Sequence, residues 1–94
     1  MLFFKINDMR TIRKGLIKSA TEANTLHDGK LLTGFEIEIV DDKDGPGKGY
    51  YIYYNDPKET RGRGYNQWYE NLEQVERSIK VDEERGMVIE WYDE

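Results

Sequence analysis

The run Gly49-Tyr50-Tyr51-Ile52-Tyr53-Tyr54 constrains this chain more than any other stretch. Aromatic and β-branched side chains at this density favour a pleated strand, where alternate residues point to opposite faces. Tyr50, Ile52 and Tyr54 then share one face, and Tyr51 and Tyr53 the other. Tyrosine suits an exposed face because its ring covers the sheet while its hydroxyl stays in water. A loop broken by Pro57, Gly62 and Gly64 follows, and then the acidic stretch from Tyr65 to Ile79. Rings at this density either seal a small core or form a contact surface.

A chain of 94 residues is expected to make one domain. Such a domain buries roughly 60–65% of the surface its unfolded chain exposes, room for one sheet and one helical layer. Hydrophobic residues are only 37% and charged residues 35%, but an aromatic fraction of 13% supplies enough apolar area for a folded chain. There is no cysteine, which excludes a disulfide, a thiolate nucleophile and a zinc–thiolate site. A cytoplasmic protein is the natural expectation. Leu2-Phe3-Phe4 is too short for the apolar part of a signal peptide, so no targeting segment is expected. No apolar run approaches the roughly 18 residues of a membrane span, so no membrane partner is expected.

The net charge of −5 is uneven: residues 1–67 carry eleven Lys/Arg against ten Asp/Glu, and residues 68–94 three against nine. An acidic final third repels nucleic-acid backbones and steers basic proteins towards it, while also keeping a small domain in solution.

Residues 1–7 read as a short strand. Asp8 can cap a helix behind it, with Met9, Ile12, Leu16, Ala20 and Ala23 at helical spacing. Gly15 weakens that helix by about 1 kcal/mol relative to alanine. Residues 30–40 form a second strand, where Phe35, Ile37 and Ile39 alternate with Glu36 and Glu38. The Asp41–Gly47 segment is a hairpin loop, and residues 50–54 are the third strand. Asn66 is the expected N-cap of a second helix with Trp68, Leu72, Val75 and Ile79 as its apolar stripe, and residues 87–92 close the fold as a last strand. The order is βαββαβ, an α+β fold of the split-βαβ, ferredoxin-like kind. Its four-stranded antiparallel sheet carries both helices on one face and leaves the other open. The alternative drops the first strand and leaves αββαβ on three strands.

No catalytic group stands out. His27 is the sole histidine and sits in a turn, and the only serines, Ser19 and Ser78, fall on the expected helices. Asp41, Asp42, Asp44 and Gly45 resemble the start of a calcium loop, but Pro46, Gly47 and Lys48 stand where the closing glutamate would follow, so no metal is expected. Gly45, Gly47 and Gly49 join strand to strand and give no phosphate cradle, so no cofactor is expected either. Glu36 and Glu38 share a strand face, and Glu90 can lie near them. Paired carboxylates can do acid–base work, but without a cleft they are the wet face of a sheet. A rival reading is single-stranded RNA binding, since Lys48-Gly49-Tyr50 opens the third strand of a βαββαβ unit and Arg61-Gly62-Arg63 adds charge. The net charge of −5 and Tyr51, which stands where a small residue belongs, oppose it.

Residues 35–92 resemble the small immunity proteins of bacterial polymorphic toxin systems. Carrying the resemblance are Gly49-Tyr50-Tyr51-Ile52-Tyr53-Tyr54, the stretch Gly64-Tyr65-Asn66-Gln67-Trp68-Tyr69-Glu70-Asn71-Leu72-Glu73-Gln74-Val75, and Val88-Ile89-Glu90-Trp91. It implies a cytoplasmic, non-enzymatic protein that binds and neutralises one cognate toxin domain, and it transfers no individual site residue. Nuclease toxins tend to be basic, so an acidic, aromatic inhibitor can steer in quickly and cover the substrate groove. On this reading Trp68 belongs to the core. Tyr51, Tyr53, Tyr65, Tyr69 and Tyr92 are candidate anchors, and Glu70, Glu73, Asp82, Glu83, Glu84, Asp93 and Glu94 supply the field. The same chemistry would serve a phage-encoded inhibitor of a host nucleic-acid enzyme or defence protein. The oligomeric state stays open.

Overall fold

In the computed structural model, which describes residues 9–24, 31–58 and 64–92, the tyrosine-rich segment is a strand well inside a sheet. The strands are β1 (Arg10–Ser19), β2 (Glu36–Asp42), β3 (Gly49–Asn55), β4 (Tyr65–Tyr69) and β5 (Val88–Trp91), with one helix, α1 (Leu72–Glu84), between β4 and β5. All pairings are antiparallel, in the spatial order β4-β3-β2-β1-β5. Four strands form a meander, and α1 returns the chain across one face so that β5 can pair with β1. The fold is α+β, but a five-stranded sheet with one helix replaces the expected βαββαβ, and the αββαβ alternative with three strands fails as well. The strand expected over residues 1–7 lies outside the described residues.

The largest correction concerns residues 9–23, expected as a helix and found as β1, with a short 3-10 turn at Glu22–Asn24. The helical stripe was misleading: Ile12 on it is 40% exposed, whereas Ile17, off it, is fully buried. A register shift between Thr11 and Arg13 breaks the two-residue period that would have marked a strand. Gly15 explains itself in this setting. A Cβ there would lie 2.8 Å from the Glu90 carbonyl oxygen and 3.0 Å from the Trp91 ring, so glycine permits β1 and β5 to approach.

The second correction moves the helix start. Asn66 lies within β4, and Asn71 is the N-cap, its Oδ1 accepting from the Gln74 amide at 2.9 Å. Gln74 Oε1 in turn accepts from the Glu70 amide at 2.8 Å, a reciprocal clasp close to a capping box. The helix ends at Arg85, after which Gly86 takes a φ of 111° that an L side chain resists, and the Met87 amide donates to the Asp82 carbonyl.

Register assigns the two faces. Ile37, Ile39, Ile52 and Tyr54 point towards α1 and meet Val75 and Ile79 of the helix in a core with Ile17, Leu32, Phe35 and Met87. On the opposite face lie Glu36, Glu38 and Val40 of β2, Tyr51 and Tyr53 of β3, and Asn66 and Trp68 of β4. Among the described residues no second layer of helix or strand covers that face. Nor is any helix there long and apolar enough to cross a membrane.

Candidate functional site

The helix-free face carries the half-exposed ring of Trp68 beside the half-buried rings of Tyr51 and Tyr53. Tyr51 and Tyr53, two residues apart on β3, set their ring centroids 5.6 Å apart. Trp68 stands opposite Tyr51 in the register and is 49% exposed. Its position corrects the expectation that it belongs to the core of the helix. The indole is anchored at one end, since its Nε1–H donates to the Gly47 carbonyl at 2.9 Å, and its ring plane stays open to contact. Tyr92, 41% exposed, donates its hydroxyl to Glu36 Oε2 at 3.3 Å. Partial burial first, and the neighbouring Glu36 charge second, hold the Tyr92 phenol above its ordinary range.

The carboxylates of this face are engaged one by one. Glu38, buried, accepts from the Thr11 hydroxyl and from Asn55 Nδ2. Glu36 pairs with Lys14 at 3.8 Å and Glu90 with Lys18 at 3.9 Å, and β1 separates Glu90 from the two β2 residues. Neither groove described below is lined by any of the three. A free acid–base pair in a cleft is therefore not what the geometry provides.

The hairpin between β2 and β3 uses its acids structurally. Asp41 accepts from the Lys43 amide and ammonium, both at 3.0 Å, and from Arg10 at 3.3 Å. The Lys43 amide is the main cause holding the Asp41 carboxyl below its usual range, and Lys43 is pushed up in return. Asp42 Oδ2 accepts from the Gly47 amide at 2.7 Å, while its buried Oδ1 has no hydrogen-bond partner. Among the described residues no three His, Cys, Asp or Glu side chains converge on a point where a metal could bind.

A second surface lies on the helix side. An open groove of about 640 Å³ runs between α1 and β4, over Tyr54, and is lined by Tyr65, Gln67, Tyr69, Arg77, Ser78, Asp82 and Arg85 among others. The Tyr69 hydroxyl meets Gln67 Oε1 at 2.6 Å and Ser78 Oγ at 2.9 Å. Burial raises the Asp82 carboxyl above the usual range and raises the Tyr54 phenol strongly. On the far side of α1 a smaller groove of about 530 Å³ is lined by Ile12, Leu72 and Trp91, with the Arg13 guanidinium 3.9 Å from the Trp91 ring centroid.

The candidate anchors thus divide. Tyr51, Tyr53 and Tyr92 belong to the helix-free face, whereas Tyr65, Tyr69 and Asp82 line the groove. Glu70 lies in the turn before α1, Glu73, Glu83 and Glu84 are exposed on the helix, and Asp93 and Glu94 lie outside the described residues, as do His27, Arg61 and Arg63. The groove residues Gln67, Arg77 and Ser78 were missed. Reading residues 65–69 as an edge strand, with Tyr65, Gln67 and Tyr69 alternating against Asn66 and Trp68, would have found Gln67. No protein-family model, curated protein or solved structure matches the chain.

Proposed function

We propose that the protein is a non-enzymatic inhibitor that binds and blocks a basic protein, as an immunity protein does a nuclease toxin in the cytoplasm, and that the helix-free face makes the contact. One observation supports it above the rest: a half-exposed Trp68 beside the paired rings of Tyr51 and Tyr53, on a sheet face without a second layer among the described residues. Tryptophan and tyrosine are the side chains from which interface hot spots are most often built. A rigid sheet presents them at low entropic cost. The net charge of −5 supplies steering towards a basic target, with Glu73, Glu76, Glu83 and Glu84 exposed on α1.

Co-expression with a basic nuclease toxin domain, sought in the neighbouring reading frames, is the test. The wild type should restore growth and co-purify with that domain, and Tyr51→Ala/Tyr53→Ala, with an unchanged circular dichroism spectrum, should do neither. A wild type that retains no basic protein at low salt contradicts the proposal. So does a double variant that protects fully.

A further inference from the structure

The tip between β2 and β3 is built around Gly47. Its amide donates to Asp42 Oδ2 at 2.7 Å, and its carbonyl accepts from Trp68 Nε1 at 2.9 Å. One residue therefore links a carboxyl group that is 3% exposed to an indole that is 49% exposed. Tyr51 closes on the same point: a Cβ on Gly47 would lie 2.8 Å from the Tyr51 hydroxyl and would strike Asp42 Oδ2. The neighbouring glycines are packed in the same way. A Cβ on Gly45 would strike Asp42 Oδ1, and one on Gly49 would lie 2.6 Å from Trp68 Nε1. The turn is braced as well, with the Gly45 amide donating to the Asp42 carbonyl and the Lys48 amide to the Gly45 carbonyl. Lys48 is held there at a φ of 57°, a conformation that persists only where the surroundings impose it.

A buried polar atom without a partner opposes folding, and Asp42 Oδ1 is such an atom. The oxygen that is engaged, Oδ2, is the one that orients Gly47. We infer that Asp42 is a positioning residue: through Gly47 it fixes the orientation of the Trp68 indole and the Tyr51 ring, and so governs how tightly the helix-free face holds its partner. The clamp stands on geometry alone, and its effect on binding rests on the proposed function. A ring held in its bound orientation loses less freedom when a partner arrives. The clamp also engages the single donor of the indole within the chain. Trp68 then meets a partner with its ring plane, which receives an apolar or a cationic side chain.

Nuclear magnetic resonance of the full chain reads the clamp without a partner. The Trp68 indole N–H signal, told from that of Trp91 by Trp91→Phe, should stand downfield and exchange slowly with solvent in the wild type. In Asp42→Ala it should move upfield and exchange faster. The Trp91 indole and the α1 amides should keep their wild-type signals, which a loss of folding would not allow. Asp42→Asn carries the same charge as Asp42→Ala but retains an acceptor for the Gly47 amide, and it should leave the Trp68 signal in place. Gly47→Ala should reproduce the upfield move by displacing Asp42 and Tyr51. Against the basic protein co-purified from the toxin co-expression, Asp42→Ala should dissociate about tenfold faster than Asp42→Asn at the same association rate. A Trp68 signal unmoved in Asp42→Ala overturns the clamp and leaves the proposed function standing. A signal that moves while dissociation does not overturns the coupling to binding, and with it the helix-free face as the contact.

Discussion

Asp41 shows how much the charge on one carboxylate contributes to this fold. Its folded-state pKa lies below the ordinary 3.8, chiefly because the Lys43 amide donates to it. Stability from this carboxylate is therefore complete above the unfolded value and is lost as pH falls through the folded one. Urea midpoints of the wild type and Asp41→Asn, measured from about pH 7 down into acid, should differ at neutral pH, and the gap should close as pH falls through the folded value. A gap that persists at low pH would place the effect in packing instead of charge. At this scale the alternation along Gly49–Asn55 was legible, since Ile52 and Tyr54 are buried and Tyr51 and Tyr53 point the other way. Trp68 was not legible: at four residues before Leu72 it completes a helical stripe as naturally as it caps a strand face.

Elements were readable where period and end signals agreed. β3 and β5 fall where alternation placed them, with ends moved by one residue, whereas β2 runs Glu36–Asp42 instead of over residues 30–40, which takes Asp41 and Asp42 out of the expected loop and into the strand. β1 was hidden because its register shift and its glycine erase the two-residue period while Met9, Ile12 and Leu16 imitate a three-to-four-residue one. β4 and the start of α1 were confused because two asparagines, Asn66 and Asn71, offered the same capping chemistry. The structure uses Asn71, so Asn71→Ala should lower stability by about 0.5–2 kcal/mol, and Asn71→Ser should retain most of it. Asn66→Ala, placed in an exposed edge strand, should shift the urea midpoint far less. Equal losses at the two positions would contradict the cap assignment.

At the scale of the molecule, among the described residues one helix covers one face of a five-stranded sheet and Trp68 stands exposed on the other. A face without a second layer among the described residues agrees with the small room a chain of 94 residues leaves for a third layer. The strand order was not, since it depends on β1 being a strand at all. An RNA-recognition reading leaned on the βαββαβ frame, and that frame is absent here. What that face carries instead is Trp68, Tyr51 and Tyr53, with its carboxylates engaged by neighbours.

Trp68 can report on that surface directly. In a Trp91→Phe background it is the sole tryptophan, and its half-exposed indole should emit at long wavelength in the free protein. Titration with the basic protein co-purified from the toxin co-expression should shift the emission to shorter wavelength, and the association rate should fall as salt rises. Saturable binding of that protein with the Trp68 emission unmoved would contradict the central claim that the helix-free face is where the partner sits.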